Sequence, residues 1–145
     1  MFSKKYVPQS ISRRDRVKQI QMLMKSRRLY KKHKYYTRGK ISYKNKKSSH
    51  VAKAFKMYNI KSMTPSKELA TKTGCSISAL NQIVKKGEGA YYSSGSRPNQ
   101  TPQSWGLARL ASAITSGKAS KVDYDIIDKG CDHKKKAFLM AHKNI

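Results

Sequence analysis

The sequence predicts a mostly α-helical fold: a small helical domain containing a helix–turn–helix-like pair, preceded by a basic N-terminal helix and an extended arm. Three observations predict it. Apolar residues recur at helical spacing after residue 12. The helix-start signal Thr-Pro occurs twice, at Thr64-Pro65 and Thr101-Pro102. In Leu69-Ala70-Thr71-Lys72-Thr73-Gly74-Cys75-Ser76-Ile77-Ser78-Ala79-Leu80-Asn81-Gln82-Ile83, a small alanine stands four residues before a turn glycine, and Leu80 and Ile83 follow at helical spacing.

The elements follow in chain order. Residues 1–10 read as extended, with Pro8 as a breaker. Ser12-Arg13-Arg14-Asp15 has the form of a capping box. The helix it opens puts Val17, Ile20, Leu23 and Tyr30 on one stripe and Lys18, Lys25, Arg27, Arg28, Lys31 and Lys32 on its other faces. Residues 33–50 lack periodicity and read as an arm. Ser48 or Ser49 caps a short helix through Val51, Ala54, Phe55 and Tyr58. Pro65 is expected at the first position of the next helix, which ends near Gly74. Ser76 caps a helix over 77–86, stopped by Gly87-Glu88-Gly89, and residues 90–100 read as a loop. Pro102 opens a helix that stops at Gly117, with Gly106, Ala108, Ala111 and Ala113 small enough to admit another backbone. Ser120 caps a short acidic helix over 121–128, with Val122, Ile126 and Ile127 inward and the acids solvated. The expected organisation is therefore 1–47, basic helix and arm; 48–131, helical domain; and 132–145, a basic tail with helical character around Phe138 to Met140.

Charge narrows the function. There are 33 lysines and arginines against 7 acids, a net +26. Residues 1–60 hold 19 of those bases and one acid, Asp15. Such a chain repels itself unless counter-charge lies against it. Phosphate is the commonest source, since neutralising it releases condensed counterions. Acidic protein surfaces and anionic membranes are the others. No apolar run approaches the ~20 residues of a membrane span, and the N-terminus lacks the apolar stretch of a secretory signal. Two cysteines, Cys75 and Cys131, make a disulfide framework an unexpected feature. The chain reads as intracellular, or as assembled inside a cell.

Three constellations carry candidate sites. The basic, tyrosine-bearing first half offers Arg13, Arg14, Lys18, Lys25, Arg27, Arg28, Lys31, Lys32 and Arg38 to a polyanion. Tyr35, Tyr36 and Tyr43 can stack on bases or pack on protein, and both readings stay open. If the helix pair reads DNA, Ser78, Asn81, Gln82, Lys85 and Lys86 face the groove; otherwise the pair is a core corner. The segment around Arg97, Asn99, Gln100, Trp105 and Arg109 lacks the Gly-Lys-Ser/Thr ending of a phosphate-binding loop. It reads as an ordered loop locked by side-chain hydrogen bonds, with anion binding at the helix start as the alternative. No carboxylate pair in an apolar setting suits acid–base work, and Cys131 with His133 falls short of the four ligands of a structural zinc site. We therefore expect neither an enzyme nor a bound cofactor or metal.

The strings Asp15 to Tyr36, Lys67 to Ile83 and, above all, Gly95-Ser96-Arg97-Pro98-Asn99-Gln100-Thr101-Pro102 with Trp105-Gly106 resemble a family of small basic proteins from giant and algal nucleocytoplasmic large DNA viruses. The resemblance spans most of 12–131 and carries no catalytic residue. It implies a virion protein. The expected role is a minor capsid protein on the inner face of the shell, with the major capsid protein and other minor capsid proteins as partners. The alternative is a DNA-binding protein that condenses the genome or regulates through the helix pair.

Overall fold

The computed structural model describes residues 2–45 and 48–145. The expected arm boundary at residue 47 lies outside the described residues. The fold is all-helical among the described residues: α1 Arg13–Tyr30, α2 Ser49–Tyr58, α3 Lys67–Thr73, α4 Ile77–Ser93, α5 Pro102–Ile114, α6 Lys118–Val122, α7 Tyr124–Gly130 and α8 Lys136–Lys143. No helix among them is long and apolar enough to cross a membrane. The chain divides into two compact units. Unit 1 comprises Met1–Lys46 and Glu88–Trp105; unit 2 comprises Lys47–Gly87 and Gly106–Ile145. The division keeps a cut between residues 46 and 47 but differs from the expected one within 48–145: α4 continues past Gly87, residues 88–105 with the Gly-Ser-Arg-Pro-Asn string belong to the unit of α1, and residues 132–145 belong to unit 2.

In unit 1, Ser12 caps α1 by accepting the Asp15 N–H at 3.1 Å. The buried face of α1 is not the expected stripe. Val17 and Ile20 are exposed, and Gln19, Met22, Leu23 and Ser26 are buried. Two polar residues tolerate burial there because each bonds a backbone carbonyl. Gln19 Nε2 donates to Tyr6 O at 3.0 Å, and Ser26 Oγ donates to Tyr92 O at 3.1 Å. Met22 joins Ile11 and Ile41 in a small apolar cluster against which Tyr36 and Tyr43 pack.

In unit 2, Ser48 caps α2. Asn59, in the left-handed region at φ 51, ends it. The start of α3 lies one residue beyond expectation: Ser66 accepts the Leu69 N–H, so Pro65 precedes the cap. Gly74 at φ 81 turns the chain between α3 and α4, a conformation that costs a Cβ-bearing residue about 1 kcal/mol or more. Ser76 Oγ then accepts the Ala79 N–H and starts α4. Leu69, Leu80 and Ile83 fill the corner, so the helix pair is present. The α4 helix does not stop at Gly87. A Cβ on Gly87 would come within 2.6 Å of Gly106 Cα, so this glycine admits α5 rather than ending α4.

Beyond α5, the single expected helix over 121–128 is two short ones. Gly117, not Ser120, precedes α6, and Ser120 is buried, donating to Gly117 O. Val122 points outward, 67 % exposed, while Ile127 is fully buried. The C-terminal residues are no tail: Ala137, Phe138 and Ala141 of α8 enter the same core as Leu80, Ile83, Leu110 and Ile114. Cys75 and Cys131, 56 residues apart, form a disulfide, contrary to expectation. Backbone bonds bring them together: Ser76 N–H donates to Gly130 O, and Asp132 N–H donates to Gly74 O. Linear spacing gives no sign of this bridge.

Candidate polyanion-docking surface

The basic face of α1 follows from its burial. With Gln19, Met22, Leu23 and Ser26 inside, the helix turns Arg13, Arg14, Lys18, Lys25 and Arg28 to solvent, and Lys31 and Lys32 lie exposed just past its end. Arg27 is half-buried. Its guanidinium donates twice to Ser94 O, at 2.7 and 3.2 Å, and lies 4.3 Å from the Phe2 ring centroid. Among the described residues, the acid partners of lysine and arginine are Glu68 with Lys72, and Asp123 with Arg109 and Lys86. None of these involves α1. Its cations therefore have no carboxylate partner among the described residues; Lys18 Nζ bonds the Lys40 carbonyl at 3.3 Å and Arg27 the Ser94 carbonyl, and the other α1 cations are exposed to solvent.

Arg38 corrects the expected set. It is 6 % exposed and cannot meet a partner. Its guanidinium donates to Ser26 Oγ, Tyr91 O and Ser96 Oγ at 2.7–2.9 Å and lies over the Tyr91 ring. Burial lowers its pKa, and the neighbouring tyrosines oppose that shift. The Tyr91 hydroxyl rises above its ordinary range through burial, with the Arg38 charge opposing.

The segment after Arg38 is irregular, as expected, but held down. Asn99, left-handed at φ 63, clasps it. Its Oδ1 accepts the Ile41 N–H at 2.8 Å, and its Nδ2 donates to Tyr43 O and Asn45 Oδ1. Asn45 Nδ2 returns a bond to Pro98 O. Gln100 Oε1 accepts from Ser104 Oγ, while Thr101 and Ser104 cap each other reciprocally at the start of α5. Trp105 meets the Tyr6 ring edge-on at 6.1 Å. The Gly-Ser-Arg-Pro-Asn-Gln-Thr-Pro string is thus a clasp, with Ser96, Asn99, Gln100 and Thr101 all bonded within the chain; Arg97, its one charged residue, is exposed.

Tyrosines form a second feature of unit 1. The α1 terminus closes with Lys34 N–H to Leu29 O and His33 N–H to Tyr30 O, with His33 at φ 60. This closure turns the chain back. Tyr35 then lies 6.1 Å from Tyr30 and 5.1 Å from Tyr92, and Tyr30 and Tyr92 are near-parallel at 6.2 Å. Tyr36 instead sits under Lys25 Nζ at 4.5 Å. Sequence reasoning missed Tyr92, because the early stop assigned to α4 left it in a loop.

In unit 2, Ser78, Asn81, Gln82, Lys85 and Lys86 are all exposed along α4. Gln82 Nε2 donates to Ser78 Oγ at 3.3 Å, and Lys86 Nζ lies 3.8 Å from Asp123 Oδ1. Asp123 was expected on a solvated helix but is buried. Arg109 grips it with two bonds of 2.8 Å, and its guanidinium pKa is raised chiefly by that hydrogen bonding. A depression of about 360 Å³ lies beside α4, between Ser78 and Gln82 on one side and Asp125 and Lys129 of α7 on the other. No group of three or more metal-binding side chains occurs among the described residues.

The model of one family, a family of unknown function (DUF5824), matches residues 4–132. No curated protein and no solved structure matches the chain.

Proposed function

The chain belongs to the DUF5824 family, whose function is unknown, so its role has to be read from its own residues, and we propose that it is a viral structural protein: a minor capsid protein on the inner face of the shell of a large DNA virus. It docks through the basic face of α1 on acidic surfaces of the major capsid protein and other minor capsid proteins. The observation that carries this reading is the exposure of Arg13, Arg14, Lys25, Arg28, Lys31 and Lys32 with no carboxylate against them among the described residues, on a chain of net +26. Self-repulsion of that size is relieved by an acidic partner.

Two further observations support it. The resemblance of the Gly-Ser-Arg-Pro-Asn-Gln-Thr-Pro string is to proteins of large DNA viruses. The Cys75–Cys131 disulfide suits an assembled particle better than the reducing cytosol or nucleus where a regulator works. Fractionation of purified particles is the test. The protein is expected to stay with the shell after nuclease and salt remove the genome; release together with the DNA would refute the shell assignment.

A second reading, a DNA-binding protein, is favoured by the five exposed polar and basic side chains along α4. Binding to duplex DNA is expected of any chain this basic. The discriminating result is a sequence preference that Asn81→Ala with Gln82→Ala abolishes.

A further inference from the structure

We infer that unit 1 carries a stacking site for single-stranded nucleic acid, formed by Tyr30, Tyr35 and Tyr92 and rimmed by Lys31, Lys32 and Lys34. The inference goes beyond the shell assignment; the two share Lys31 and Lys32, but the tyrosine platform is read by base stacking, which no shell contact tests.

The geometry has three parts. Tyr30 and Tyr92 are 9° from parallel, and Tyr35 leans against both, so three rings from two stretches of chain converge. Tyr35 is 69 % exposed, which leaves ring surface for a further planar group. A tyrosine used only for packing would bury that surface, as Tyr91 does, being fully buried. Finally, the platform is braced from within. Tyr91 meets Tyr92 at 90° and 5.2 Å and is itself pinned by Arg38, so the platform is set before a ligand arrives.

Charge complementarity selects the occupant. Lys31, Lys32 and Lys34 lie between Tyr30 and Tyr35 in sequence and are exposed. Unit 1 has only Asp15 and Glu88 as acids. Aromatic faces beside lysines suit a strand whose bases are unstacked and whose phosphates run alongside. A duplex hides its base faces, and an acidic polypeptide offers no planar group in register with its charges. Glu88, one helical turn before Tyr92 on α4, is the acid nearest in sequence to the platform, and its charge opposes phosphate there.

The test uses the full chain and a fluorescent oligothymidylate of about 15 nucleotides, with binding read by anisotropy. Heparin and polyglutamate, polyanions without bases, are measured in parallel by competition. Tyr35→Ala is expected to weaken oligothymidylate about tenfold, to leave heparin and polyglutamate within about twofold, and to be rescued by Tyr35→Phe but not by Tyr35→Leu. Lys31→Ala with Lys32→Ala is expected to weaken all three ligands and to reduce the salt slope by about 0.7 for each phosphate no longer neutralised. The inference is overturned if Tyr35→Ala changes none of the ligands, if it weakens all three equally, or if Tyr35→Leu binds oligothymidylate as well as Tyr35→Phe. Because Tyr35 is mostly exposed, its replacement leaves the fold intact, and circular dichroism of each variant checks this.

Discussion

The Arg38 guanidinium lies 3.8 Å from the Tyr91 ring centroid, while the Tyr91 hydroxyl accepts the Arg38 backbone N–H at 2.8 Å. Main chain and side chain of one residue thus grip both ends of another. The side chain expected to meet a polyanion is instead the interior bolt of unit 1, satisfied by hydroxyls, a carbonyl and a ring face. Arg38→Ala removes the bonds that Ser26 Oγ, Ser96 Oγ and the Tyr91 carbonyl accept from the guanidinium and leaves a void, which should lower stability by about 3 kcal/mol or more. Arg38→Lys should recover little, since an ammonium cannot span the same acceptors or stack on the ring. Hydrogen exchange at Ile41 and neighbouring amides reads the loss; unchanged protection in Arg38→Ala would refute the bolt.

The Cys75–Cys131 bridge closes a loop of 56 residues across unit 2. In the chain-entropy description, such a loop contributes about 4 kcal/mol. Reduction should therefore lower the denaturation midpoint of unit 2, and Cys75→Ser with Cys131→Ser should reproduce the effect without reductant. Equal midpoints for oxidised and reduced protein would contradict it.

Asp123 is buried under Arg109, whose side chain keeps 23 % of its exposure, with Lys86 farther off and wetter. Arg109→Ala leaves the buried Asp123 carboxylate with only the more distant Lys86 against it and should cost about 3 kcal/mol. Lys86→Ala should cost under about 1 kcal/mol. A double-mutant cycle between positions 109 and 123 should show strong coupling; additivity would place the energy elsewhere.

Tyr58 donates to the Ile114 carbonyl, and burial raises its hydroxyl pKa well above the ordinary 10.0. Above pH 10 the unfolded chain loses this proton and the folded chain keeps it. The contribution of Tyr58 is therefore complete below pH 10 and declines as pH rises further. Denaturant titrations at pH 8 and pH 11 should show the fall, and Tyr58→Phe should flatten it while losing about 1 kcal/mol at neutral pH. A steeper alkaline loss in Tyr58→Phe would contradict the assignment.

Helices were legible where caps and apolar spacing agree: Ser12, Ser48, Ser76 and the Gly74 turn all lie where local chemistry puts them. Legibility failed where tertiary contacts override local signals. Gly87 reads as a stop, but is a point of close approach to Gly106. Gln19 and Ser26 lie outside the apolar stripe, yet are buried, each bonded to a carbonyl distant in sequence. Asp123 reads as surface charge because Arg109 stands 14 residues before it. On the docking surface, the α1 cations were visible from composition. Arg38 and Arg109 were indistinguishable from them, since burial leaves no mark on an arginine's own neighbours in sequence.

Lysine reactivity in the assembled particle tests the central claim most directly. Purified particles and free protein are acetylated under matched conditions, and modification is quantified at each lysine by mass spectrometry. The account predicts strong protection of Lys18, Lys25, Lys31 and Lys32 in the particle relative to the free chain, with Lys85 on α4 unchanged. Equal reactivity of these four lysines in both states would mean that nothing acidic lies against them, and would contradict it.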